Sequence, residues 1–89
     1  MEKRLGVIAI ILSELENVNR MNSILSEHGD LVVGRMGLPM RGRQLHVISL
    51  IVEGTTDEIG ALTGKLGRLG GVQVKSMLTK QEAPHAGDR

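Results

Sequence analysis

The chain has 89 residues, a formal net charge of +1, and no cysteine, phenylalanine, tyrosine or tryptophan. Its length leaves room for one small domain, the missing thiols exclude disulfides and thiolate metal sites, and the interspersed charge lacks the basic signature of a nucleic-acid binder. A core of Ile, Leu, Val, Met and Ala in so short a chain gives marginal stability, so subunit association is the remaining common reinforcement.

The opening MEKR runs into residues 5–12 (LGVIAIIL), a β-branched apolar run that reads as a buried strand. The run is too short to span a bilayer and no small-residue cleavage site follows it, so a cytoplasmic protein without a membrane contact is expected. Ser13 then opens a helix, because Ser13 and Glu16 have the spacing at which each side chain satisfies an orphan N–H of the first turn. Leu15, Val18, Met21, Asn22 and Leu25 form one helical face, and Gly29 stops it.

Residues 30–38 (DLVVGRMGL) read as a second strand, 39–43 (PMRGR) as a turn, and 44–53 (QLHVISLIVE) as a third strand, apolar nearly throughout. Thr55 and Glu58 repeat the capping-box spacing. Ile59, Leu62, Leu66 and Leu69 mark a second helical stripe that Gly70-Gly71 ends. Residues 72–80 (VQVKSMLTK) alternate as a fourth strand. One domain over residues 1–80 is expected, followed by a polar, disordered tail at 81–89.

The two halves repeat. Val7-Ile8-Ala9-Ile10-Ile11 matches Val47-Ile48-Ser49-Leu50-Ile51, and Gly29, Val33 and Met36 match Gly70, Val74 and Met77. Two βαβ halves predict an α+β ferredoxin-like βαββαβ sandwich. Its four-stranded antiparallel sheet has the order 4-1-3-2, with two helices on one face.

Residues 60–71 (GALTGKLGRLGG) contain a Gly-Lys pair that invites a phosphate-loop reading. Such a loop needs G-x-x-x-x-G-K-[ST] between a strand and a helix, and here Ile59 holds the first glycine position and Leu66 the hydroxyl position. The segment is therefore helix. Gly60, Gly64 and Gly67 each cost about 1 kcal/mol of helix propensity against Ala. At ~100° per residue they form a stripe well away from the Ile59/Leu62/Leu66/Leu69 face. Two readings stand: an exposed helix of modest stability, or a surface kept smooth so that a neighbouring subunit or a ligand approaches closely. Gly60, Gly64 and Gly67, with Lys65 and Arg35, are the candidate effector or interface residues.

The string Ile59-Gly60-Ala61-Leu62-Thr63-Gly64-Lys65-Leu66-Gly67, with Gly71-Val72-Gln73-Val74-Lys75-Ser76, resembles the signature of the iron-only hydrogenase system regulators. Gly34-Arg35-Met36-Gly37-Leu38-Pro39 and the opening Lys3-Arg4 strand resemble the same family, so the likeness spans about residues 2–80. The resemblance implies a fold similar to ACT domains and to the sensing domain of the nickel-responsive repressor. It also implies a small regulatory protein tied to maturation of iron-iron hydrogenase. It brings no transferable catalytic or binding residues. No DNA-binding helix pair is present, so a role in transcription requires a separate DNA-binding partner.

Other uses of the fold lack their chemistry here. The third strand has none of the stacking aromatics of an RNA-binding sheet, and no Cys-x-x-Cys pair serves a soft metal. The Ser13-Glu14-Leu15-Glu16 junction is acidic where an acylphosphatase-like loop would cradle phosphate, and it lacks the glycine common at the amino-acid sites of ACT domains. His28, His46 and His85 do not make a metal-ligand spacing, and Arg35, Arg41, Arg43, Lys65, Arg68 and Lys75 read as solvated charges. No nucleophile-base constellation is present, so no enzyme, cofactor or metal is expected.

A ferredoxin-like sheet is covered by helices on one face only, yet both faces of the central strands are apolar. If Val7, Ala9, Ile11, Val47, Ser49 and Ile51 face the helices, Ile8, Ile10, Ile48 and Leu50 look outward and, with Met77, form an oligomer interface. The opposite choice still exposes Val7, Ile11, Val47 and Ile51. Either way an aliphatic face is left bare, which monomers seldom tolerate. A homodimer or dimer of dimers is expected, with a small effector at a subunit interface. The alternative is an accessory that docks on a maturation enzyme or on a DNA-binding protein.

Overall fold

In a computed structural model that describes residues 2–80, the chain alternates strands and helices in two matching halves. The first half is β1 (Arg4–Leu12), α1 (Val18–Glu27) and β2 (Val32–Met40); the second is β3 (Leu45–Gly54), α2 (Thr56–Gly67) and β4 (Val72–Leu78). The strands form one antiparallel sheet in the order β2-β3-β1-β4, as the repeat requires. Residues 81–89, expected to be a disordered tail and including His85, lie outside the described residues.

The core answers which face of the central strands is covered. Ile8, Ile10 and Leu12 of β1 and Ile48, Leu50 and Val52 of β3 are buried against Met21 and Leu25 of α1 and Ile59, Leu62 and Leu66 of α2. Ile8, Ile10, Ile48 and Leu50 therefore lie beneath the helices, not on the open sheet face, which corrects the choice made from the sequence. The cause is polar: the other set of alternate residues includes Ser49 and Glu53, and burying these without partners costs several kcal/mol, more than any gain from exchanging aliphatics. Gly6 belongs to the covered set for a steric reason. A Cβ there would collide with Leu78 Cδ2 and stand 3.0 Å from Met77 O.

The two helices start differently. Thr55 Oγ1 accepts from Glu58 N at 3.1 Å and Glu58 Oε1 accepts from Thr55 N at 2.8 Å, so the second capping box forms as its spacing predicts. The first does not. Ser13 donates both its N–H, at 2.7 Å, and its hydroxyl, at 3.1 Å, to Gly71 O in the turn before β4. A 3₁₀ turn at Leu15–Asn17 then leads into α1. Asn17 Nδ2 adds a bond to Gly70 O at 2.9 Å, so the β1–α1 junction is tied to the α2–β4 turn. Gly71 makes that turn at φ +74°, a left-handed conformation that favours glycine, and a Cβ there would come within 2.8 Å of Glu14 N.

The edge strand β2 begins later than its apolar run, because Gly29–Leu31 forms a 3₁₀ turn, and it runs on through Pro39 to Met40. Proline is tolerated there because an edge strand need not donate on its outer side.

Candidate functional site

Register turns the open face of the sheet into rows of side chains. Ile11 lies between Val47 on β3 and Gln73 on β4, with Leu38 beyond Val47. The next row is Lys75, Ala9, Ser49 and Met36, and the third is Met77, Val7, Ile51 and Gly34. Leu5 opposite Glu53 closes the far end. The face thus has two aliphatic ridges flanking a row that is low at Ala9 and Ser49, with Lys75, Gln73 and Glu53 at its margins.

These apolar side chains are uncovered to an unusual degree: Met77 is 72% exposed, Met36 71%, Leu38 58%, and Val7, Ile11 and Ile51 about 40% each. A hollow of about 260 Å³ opens among Leu5, Val7, Ile51, Met77 and Leu78. Met77 is the one member of the sequence-derived interface set that lies on this face. Leu5, Val7, Ile11, Met36, Leu38 and Ile51 are the residues that set left out. The signal that finds them is Glu53, which shares their register in β3 and marks the wet side.

The other sequence-derived candidates do not converge. Gly64 and Lys65 lie inside α2 and not in a loop, in keeping with the missing phosphate-loop pattern. A Cβ at Gly60 or Gly64 would meet nothing within 4 Å, and one at Gly67 would stand an ordinary 3.7 Å from Val74 Cγ1. Lys65 Nζ pairs with Glu27 Oε1 of α1 at 3.2 Å. Arg35 points to the helix side, donating to Asn22 Oδ1 at 3.1 Å, and lines a separate hollow beside Leu25 and Gly29. His46 is half-buried on β3 opposite Leu12 and Pro39, and the His28 Nε2 atom is buried with no hydrogen-bond partner. Among the described residues no group of three or more His, Cys, Asp or Glu could hold a metal ion. Among them, too, no helix is long and apolar enough to cross a membrane.

The bare surroundings of the glycine stripe give an expectation with a sign. Gly60→Ala and Gly64→Ala each stabilise the chain by about 0.5–1 kcal/mol, since the added methyl fits and the unfolded chain loses freedom. Chemical denaturation reads the gain. Sedimentation of the same variants shows whether association is unchanged, which is the expected result for a stripe that is simply exposed.

A βαββαβ sandwich with strand order β2-β3-β1-β4 and both helices on one face is the ferredoxin-like fold. Residues 4–76 match the model of the TM1266-like family, described as "Iron-only hydrogenase system regulator, putative", and the chain belongs to that family. The uncharacterized protein TM1266 from Thermotoga maritima has a similar structure, with a TM-score of 0.84 at 35% identity over 89% of this chain and 100% of that one. A "putative glycine cleavage system transcriptional repressor" is similar with a TM-score of 0.67 at 14% identity, over 91% of this chain and 48% of that one. CPII from Thiomonas intermedia K12, a nitrogen regulatory PII-like protein, gives 0.51 at 17% identity over 85% of this chain and 91% of that one. The last two likenesses show the fold alone. No curated protein matches the sequence.

Proposed function

We propose that the chain is a non-enzymatic regulatory module of the iron-only hydrogenase system that works as a homodimer, paired through the open faces of two sheets. The observation that supports this is the largely aliphatic face of β1 and β3, two ridges on either side of Ala9 and Ser49, extended by Met36, Leu38 and Met77. At ~7 Å between same-face residues and ~4.8 Å between strands, its apolar part is on the order of 400 Å². Covering it stabilises by about 10 kcal/mol per copy before association costs, at ~25 cal/mol per Å². That area is roughly half of what each partner contributes to a standard interface, so the polar margin completes the contact and affinity falls in the micromolar range.

The second copy fits the chemistry better than another occupant. The face carries aliphatic and methionine side chains with Lys75 and Glu53, of opposite sign, at its margins, which suits pairing with itself. The hollow beside Val7, Ile51 and Met77 is open to solvent in one copy and closes when a second copy covers it, making it the effector site of this reading. Sedimentation velocity at tens of micromolar tests the dimer. A species of twice 9.6 kDa is expected. A strict monomer overturns the proposal and leaves the face to a different protein, the accessory role.

A further inference from the structure

A second surface, on the helix side, is built differently. Asn17, Arg20 and Ile24 face one way on the first helical segment, and Lys65, Arg68 and Leu69 face them from the end of α2. Between them runs a groove of about 490 Å³, within the range of about 300–1,000 Å³ that small molecules occupy. Among the described residues no acidic side chain lines it. Lys65 is already paired with Glu27, but among the described residues the side chains of Arg20 and Arg68 have no hydrogen-bond or ion-pair partner. Both side chains are exposed, so their guanidinium groups are free to take an anion from solution. The floor is apolar: Ile24 and Leu69 pack on the core. The wall at Asn17 is held in place by its bond to Gly70 O, with Glu14 Oε1 3.5 Å from the same amide nitrogen.

We propose that this groove binds a small phosphorylated organic molecule, with Arg20 and Arg68 gripping the phosphate and Ile24 and Leu69 carrying the organic part. The planar guanidinium fork matches phosphate oxygens in pairs, and an apolar floor favours an ester over inorganic phosphate. A nucleic-acid strand fits poorly, because the chain has a net charge of +1 and no aromatic side chain on which a base could stack. The site lies on the face of the sheet opposite the dimer surface. The inference goes beyond the dimer reading, and either can fail while the other stands.

Phenyl phosphate, inorganic phosphate and a short single-stranded oligonucleotide are titrated separately into the full chain by calorimetry at low salt. Phenyl phosphate is expected to bind about tenfold or more tightly than inorganic phosphate, and Arg20→Gln and Arg68→Gln each weaken it about tenfold. Lys3→Gln, an exposed cation just before β1 and at the end of the sheet away from the groove, leaves binding unchanged. Both arginines are exposed, so the variants keep the fold; circular dichroism checks this, and Arg20→Lys, which retains charge but loses the fork, is the second variant. Any of four results overturns the proposal: no heat at about 10 mM phenyl phosphate, where a millimolar site would saturate; binding unaffected by loss of both arginines; equal binding of inorganic phosphate; or tighter, arginine-dependent binding of the oligonucleotide.

Discussion

Ile51→Glu is expected to convert the proposed dimer into a 9.6 kDa monomer while leaving it folded. Ile51 is at the centre of the open face, opposite Val7 on β1 and Gly34 on β2, and 38% exposed in a single copy. In that copy a glutamate there still reaches water, so the cost to folding is about 1 kcal/mol or less. Covered by a second copy, the same carboxylate loses its water against a largely aliphatic surface. A two-fold contact repeats the change on both sides. Burying unpaired charge costs several kcal/mol per group, so association weakens by at least about a hundredfold. Sedimentation velocity measures the mass and far-ultraviolet circular dichroism the fold. If the variant sediments like the parent, the subunits meet somewhere else.

The two sides of β1 are also separable by stability. Ile10→Ala, at a position with no exposure, removes three carbons from the core cluster and is expected to cost about 2–5 kcal/mol. For a domain of this size that lowers Tm by at least about 10 °C. Ile11→Ala, one residue on, acts mainly through the dimer. In the Ile51→Glu monomer the Ile11 effect shrinks to about 1 kcal/mol while the Ile10 effect persists in full. Equal losses for both residues in that monomer would mean that the faces are not distinguished as described.

The pair shows what sequence periodicity can and cannot resolve. Residues 7–11 are apolar without a break, so a period of two has nothing to alternate against in β1. The neighbouring strands break the tie, β3 through Ser49 and Glu53 and β4 through Gln73 and Lys75, and β1 inherits the answer by pairing Ala9 with Ser49 and Lys75 and Leu5 with Glu53. A residue-by-residue reading of β1 cannot use that information, because strand pairing carries it across more than forty positions of chain.

Local chemistry was legible where both partners lie within one turn of each other. The Thr55–Glu58 box forms because its donors and acceptors are three residues apart and nothing competes for them. Ser13 and Glu16 have the same spacing, but Gly71 O, 58 positions away, takes both Ser13 donors. The glycine helix, the strand order and the family string were likewise short-range or repetitive signals. The Arg20–Arg68 groove was not, since each arginine alone reads as a solvated charge and only helix packing sets the two on one wall-to-wall cleft.

The sequence by itself determined the elements, their order, the ferredoxin-like sandwich and the family. Each of these depends on residue periodicity, on turn chemistry or on a contiguous motif. The tertiary structure alone decided which side of β1 became core, whether Ser13 would cap, and which charges share a groove. Those outcomes are contests between partners far apart in the chain, and the free energy of burial settles them only when the layers close.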